Sequence, residues 1–145
     1  MSGVRTNLSQ VRRQMDSKIA GVDRAVFRTA AEIAATGTRF AKAEITGRRG
    51  QTDGVWDKAT PGKPPMNRTG TLRRSINSRV YKDGFGSYTG RIEPATNYAR
   101  ALEVGHQYAP PSWRFSDANE GFPYMRPALN RLRAAIPGII RKNMP

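Results

Sequence analysis

A long run of apolar residues at helical spacing is the feature that most constrains how this chain can fold. The run starts at Leu8 and recurs in steps of three or four residues as far as Phe40, which is the spacing of one face of an α-helix. The apolar positions are Leu8, Val11, Met15, Ile19, Val22, Val26, Ala30, Ile33, Gly37 and Phe40. The pattern predicts a long amphipathic helix within residues 1–46.

The two ends of this helix carry recognisable signals. Asn7 or Ser9 is a candidate N-cap, and Gly47 lies where the helix should stop. Gly21 or Gly37 could bend the helix, and two helices broken at Gly21 are the alternative.

Residues 47–70 have no apolar periodicity and are rich in Gly, Pro and Arg. Such a segment predicts a long flexible loop or arm, and a structureless loop of this length often binds a partner. Trp56 is a candidate interface residue there, because an exposed Trp often anchors an interface. Packing of Trp56 on its own domain is the equal alternative.

The rest of the chain, residues 71–145, predicts a core of short helices and a hairpin. Thr69 or Thr71 can cap a short helix, which passes into a strand at Val80 and Tyr81. The Asp-Gly pair at residues 83–84 predicts a hairpin turn into a second strand around Ile92.

Two further helices complete this region. Tyr98, Ala101 and Leu102 share one face of a short helix that should end at Gly105. A closing helix follows a polar loop, with one face formed by Met125, Leu129, Leu132 and Ile136. Pro137 should end or kink it. The expected fold is therefore α+β, a single domain in which a long N-terminal helix and a C-terminal helix pack on a small antiparallel sheet.

Charge favours a polyanionic or acidic partner. Among 145 residues there are 25 Lys and Arg against 11 Asp and Glu, a formal net charge of +14. Two stretches lack any acid, from Arg68 to Lys82 and after Glu120. Candidate interface or DNA-facing residues within them are Arg73, Arg74, Arg79, Arg131 and Arg133. Salt bridges to acidic subunits and simple solvation are the alternatives for each of them.

No motif of enzyme chemistry stands out. The chain has no Cys and a single His, His106, without a nucleophile elbow or a metal-binding pattern around it. We therefore expect no enzyme, no catalytic residue, no metal and no cofactor. No apolar run approaches the length that spans a bilayer, so a protein made and kept in the cytosol is expected.

Three segments in order carry a family resemblance: NRTGTLRRSI at 67–76, NYARALEVGH at 97–106 and PYMRPALNRL at 123–132. They resemble the head-tail joining proteins of long-tailed double-stranded DNA phages, a family of neck, tail-completion and minor tail proteins. The matching positions are Arg68, Thr69, Gly70, Leu72, Ser75, Ile76, Tyr98, Ala99, Leu102, Glu103, Gly105, Pro123, Tyr124, Pro127, Ala128 and Leu129. Tyr124 stands where the family has Phe.

The resemblance implies a structural virion protein that forms a ring in the phage neck. The ring it implies has six-fold symmetry. Such a ring would connect the head (portal or adaptor) to the tail tube or tail terminator and let DNA pass, with contact to DNA in its lumen. A basic DNA-binding protein and a transient tail-assembly factor are the alternatives.

Local roles can be argued for the motif residues as parts of the fold. Gly70 would supply a free backbone torsion at the start of the short helix, and Leu72 with Ile76 would pin that helix to the core. Glu103 could pair with an Arg of the same or an adjacent subunit. Pro127 would occupy the first turn of the last helix.

Overall fold

The computed structural model describes residues 7–45, 51–52, 55–56, 65, 69–105 and 121–144. The elements in chain order are α1 (Leu8–Glu44), β1 (Gln51–Thr52), β2 (Val55–Trp56), α2 (Thr71–Ser75), β3 (Ile76–Gly84), β4 (Ser87–Pro94), α3 (Ala99–Val104) and α4 (Met125–Asn143). The α+β fold expected from the sequence is confirmed: a long N-terminal helix and a C-terminal helix accompany a two-stranded antiparallel sheet.

Helix α1 is continuous over 37 residues, so the alternative of two helices broken at Gly21 is wrong. Asn7 is the N-cap residue, but its side chain makes no capping bond to the backbone and instead contacts Ser9 and Gln10. The helix ends at Glu44, three residues before the expected Gly47, and buried Ile45 follows it.

Two short strands lie inside the segment expected to be a structureless loop. β1 pairs antiparallel with β2, with Gln51 opposite Trp56 and Thr52 opposite Val55. In the sequence, Asp-Gly separates them, which is the most typical pair for a two-residue hairpin. The expectation of no regular structure is therefore wrong for these four residues, and the local signal that predicts them was the same one used for residues 83–84.

Strands β3 and β4 form the predicted hairpin, in register from Ile76 opposite Pro94 to Gly84 opposite Ser87, with an irregularity between Lys82 and Gly84. One face of this hairpin lies on α1. Gly90 makes that approach close, because a Cβ there would meet the Ala34 Cβ at 3.2 Å. A two-stranded hairpin is marginal by itself, so its packing on the long helix stabilises it.

Helix α4 runs antiparallel to α1. Arg131 near its start pairs with Glu44, and Lys142 near its end pairs with Glu32. Pro137 does not end the helix, which continues for six more residues. Contacts beyond the proline hold that part in place, since Ile139 is buried and Asn143 donates to the Glu32 carboxylate at 2.7 Å.

The buried face of α4 includes Leu132, as expected, and differs from the expected one at Leu129. Leu129 is 41% exposed, and the buried positions Tyr124, Ala128 and Leu132 are spaced by four residues. The sequence pattern is ambiguous because both Ala128 and Leu129 are apolar, so either position could lie on the buried face. The small Ala128 lies inside, and the larger Leu129 lies at the edge.

Gly37 is the point where three elements meet. A Cβ there would overlap Ile92 of β4 and lie 2.8 Å from the Leu132 Cδ2 of α4. The glycine therefore permits α1 to approach the sheet and α4 at the same place.

Candidate interaction surfaces

The three sequence segments of the family resemblance come together in one core. A single cluster of buried residues contains members of all three, and Tyr98, Leu102 and Met125 pack against it. Its members are Ala41, Ile45, Leu72, Ile76, Ala99, Tyr124 and Ala128. Residues separated by more than 20 positions in the sequence thus depend on one another for burial.

Helix α2 enters this cluster as expected, with one change in its capping. Gly70 adopts φ 76 as the N-cap residue, a conformation that favours glycine. Thr69, one position earlier, accepts the Thr71 N–H at 3.3 Å, so the capping hydroxyl comes from the residue before the N-cap. Leu72 and Ile76 are buried, 8% and 0% exposed, and Ser75 donates to the Leu72 carbonyl at 2.7 Å.

Glu103 caps α4, a role that the sequence interpretation did not assign to it, and it forms no ion pair with an Arg of the described residues. Its carboxylate accepts the backbone N–H groups of Tyr124 at 2.8 Å, Met125 at 3.0 Å and Arg126 at 3.0 Å. These N–H groups have no partner within the helix, and a negative charge at a helix N-terminus is favourable. Glu103 therefore fixes α3 to the start of α4.

The α3–α4 junction is also tight at the backbone. Gly105 ends α3 with φ 96 and donates its N–H to the Ala101 carbonyl at 2.9 Å. Phe122 donates its N–H to the Leu102 carbonyl. Pro123 precedes α4, and Pro127 lies in its first turn, where the helix loses no internal hydrogen bond.

Tyr124 is fully buried, and its hydroxyl has no hydrogen-bond partner in the described structure. Burial raises the pKa of this phenol, and the nearby Glu103 carboxylate adds to the effect. The phenol is therefore neutral and acts as an aromatic core residue, in the manner of the Phe that the resemblance would place there.

Asp23, a residue that the sequence interpretation missed, anchors the hairpin tip to α1. Its carboxylate accepts the Gly86 N–H at 2.9 Å, the Lys82 ammonium at 3.0 Å and the Tyr88 hydroxyl at 2.8 Å. These hydrogen bonds hold the pKa of Asp23 below its ordinary value, and the bond from the Gly86 N–H contributes most. A lone acid in a helix offers no sequence signal for this role, because its partners lie about 60 residues away.

An apolar stripe remains uncovered at the start of α1. On the N-terminal side of Asp23, neither the hairpin nor α4 covers the helix. All residues from Leu8 to Ile19 are exposed. We call residues 8–22 the arm. Its large apolar side chains and their exposures are Leu8 74%, Val11 48%, Met15 57%, Ile19 43% and Val22 49%. Contiguous exposed apolar surface of this kind marks an interaction site.

The basic residues nominated from the sequence do not form one group. Arg131 pairs with Glu44 at 2.8 Å, and its guanidinium carbon lies 4.5 Å from the centre of the Phe40 ring. Arg74 donates to the Thr69 carbonyl at 3.2 Å. Arg73, Arg79 and Arg133 are exposed on three different elements.

Two nominated positions lie wholly or partly outside the described residues. Arg68 is outside them. Trp56 is described only as a residue of β2, so its interface role stays a prediction.

Most of the acidic side chains in the described ranges form hydrogen bonds or ion pairs within the chain. Of the seven that the described ranges contain, six make hydrogen bonds or ion pairs within the chain, and Asp16 of the arm is the exception. The six are Asp23, Glu32, Glu44, Asp83, Glu93 and Glu103. The described ranges therefore contain more basic side chains than acidic ones.

The described ranges contain no group of three His, Cys, Asp or Glu residues placed to hold a metal ion. None of the helices in these ranges is long and apolar enough to cross a membrane. Comparison with models of known protein families, with curated proteins and with solved structures gave no match.

Proposed function

We propose that the chain is a non-enzymatic structural subunit of a phage neck, one copy in a ring that joins the head to a long tail. The observation that carries the proposal is the convergence of the three motif segments in one core, with Leu72, Ala99 and Tyr124 in contact through the same cluster. The motif therefore acts as a folding unit, which is what a family defined by shape and assembly requires.

The uncovered arm supports assembly. Its 15 residues expose an apolar stripe, and a helix of that length is marginal in water without packing. In a ring with head-to-tail contacts, each subunit offers one surface and receives another. In this ring the arm is the surface that each subunit offers to its neighbour. Neighbouring connector, terminator or tail-tube proteins are the other partners we propose, with the virion neck as the location.

Deletion of the gene from the phage that encodes it tests the proposal. We expect DNA-filled heads and separate tails to accumulate, and the chain supplied in trans should restore joined particles. Quantitative mass spectrometry of wild-type virions should find the chain in a ring's number of copies. Normal particles from the deletion strain would overturn the proposal, and joining defects without the chain in the virion would indicate a transient assembly factor.

The excess of cations favours a second candidate, a basic DNA-binding protein. In that case the deletion phage would still join heads to tails, and its defect would lie in a DNA transaction. The two functions are therefore separated by the same deletion strain.

A further inference from the structure

The solvent face of α1 carries a row of cations that the sequence interpretation did not single out. At 3.6 residues per turn, its five members fall within a sector of about 80° and extend over about 43 Å. They are Arg13, Arg24, Arg28, Arg39 and Lys42. We call them the basic row. Four of the side chains are exposed and Lys42 is half-buried.

No acid shares this sector of α1. The acids of the helix lie outside it, and Asp23 and Glu44 are bonded to the hairpin and to α4. Glu32 lies at the edge of the sector, where it is bonded to Lys142 and Asn143 of α4 and also interacts electrostatically with Arg39. None of the five cations forms an ion pair within 4 Å of an acid among the described residues. A solvated helix face usually mixes both signs of charge, so a row of one sign over this length favours a polyanionic partner.

The residues between the cations indicate which kind of anion. They are small or neutral and include Ser17, Gly21, Ala31 and Ala35. Protein interfaces depend on large anchors such as Trp, Tyr or Leu at their centre, and this sector has none. Phosphate contacts need only cations and close approach, and Arg, which provides four of the five, bonds phosphate in a bidentate manner.

We propose that the basic row binds the phosphate backbone of double-stranded DNA without reading base sequence. The apolar stripe on the other side of α1 leaves this face free, so one helix offers one side to protein and the other to DNA. The inference rests on the helix alone, and it adds to the proposed ring a surface that would face the DNA passing through it.

The test is fluorescence anisotropy of the full chain with a labelled duplex of about 30 base pairs over a series of salt concentrations. The informative variant is Arg13→Gln, Arg24→Gln and Arg28→Gln together. The matched control is Arg12→Gln, Arg126→Gln and Arg141→Gln together, which removes the same charge from exposed positions outside the basic row and outside the residues nominated from the sequence.

We expect the wild-type chain to bind with log K falling linearly with log salt. The α1 variant should lower the magnitude of that slope by about 3, roughly one for each lost phosphate contact, while the control keeps the wild-type slope. Equal losses in the two variants would show that only net charge matters and would overturn the proposal. Unchanged binding by the α1 variant would also overturn it.

Labelled poly-glutamate in the same titration distinguishes an acidic protein partner. Tighter binding of poly-glutamate than of the duplex, lost in the α1 variant, would assign the row to an acidic protein surface and overturn the DNA assignment. Circular dichroism of both variants should match that of the wild type. Absence of salt-dependent DNA binding by the wild-type chain would refute this inference and leave the ring proposal standing, since the deletion strain tests the ring proposal.

Discussion

Gly37 and Gly21 lie in the same helix but have opposite surroundings. A methyl group at Gly37 would meet Ile92 and Leu132, whereas nothing lies within 4 Å of the position at Gly21. We expect Gly37→Ala to lower the free energy of unfolding by about 1–3 kcal/mol through overpacking. Gly21→Ala should raise it by about 0.5–1 kcal/mol, because Ala favours a helix. Denaturant unfolding of the two variants measures both, and a Gly37→Ala protein as stable as the wild type would contradict the three-way contact.

Tyr124 offers a test of the core that removes a single atom. Because its hydroxyl is buried without a partner in the described structure, Tyr124→Phe should raise the free energy of unfolding by about 1 kcal/mol. Tyr124→Leu serves as the control, since it removes aromatic packing and should lower stability. A clear loss of stability in Tyr124→Phe would mean that the hydroxyl has a bonding partner in the folded protein.

The hairpin is held to α1 through Asp23, and that attachment should depend on pH. The folded pKa of Asp23 is below its ordinary value, so its contribution to stability is present above about pH 4 and is lost as pH falls through the folded pKa. Asp23→Asn should therefore be less stable than the wild type at pH 7, and the difference should shrink as the pH is lowered toward 3.

Denaturant unfolding at both pH values gives this difference. Asp16→Asn is the matched control, because Asp16 is an exposed acid of the same helix. Asp16→Asn should unfold within about 0.5 kcal/mol of the wild type at pH 7, as for surface substitutions. A gap between Asp23→Asn and the wild type that stays constant with pH would show that the carboxylate does not anchor the hairpin.

We propose that the arm serves assembly, because its side chains are exposed. Val11→Gln, Met15→Gln and Ile19→Gln together keep helix-forming residues but remove the apolar stripe. We expect the free energy of unfolding to stay within about 0.5 kcal/mol of the wild-type value, as for surface substitutions, while joining of heads to tails fails in a complementation assay. Gln10→Ala with Ser17→Ala is the control and should complement. Full complementation by the triple variant would exclude the arm as an assembly surface.

Local patterns predicted the elements well. The helical period of α1, the DGFG turn before β4 and the glycines at 70 and 105 are each set by neighbouring residues. The structure has a helix and turns there, although Asp83 and Gly84 extend β3 and the turn itself lies at Phe85 and Gly86. The ends were less accurate, as at Glu44 and beyond Pro137, because contacts with distant residues decide where a helix stops.

The surfaces could not be predicted in the same way. Glu103 bonds to backbone groups about 20 residues away, and Arg131 to an acid about 90 residues away, so no spacing reveals either contact. The division of α1 into a covered half and an uncovered half depends on where α4 and the hairpin end. The basic row is different, since the helical phase of its residues was available in the sequence.

For the whole molecule, we propose a body that folds around the motif segments, an arm for protein contacts and a cationic helix face for DNA. Cryo-electron microscopy of purified virions, with the subunit fitted into the neck density, tests the ring assignment most directly. The account predicts a closed ring of this chain between head and tail, with the arm of each copy on a neighbour. Density at the junction that the fold does not fit, or particles without the chain, would contradict it.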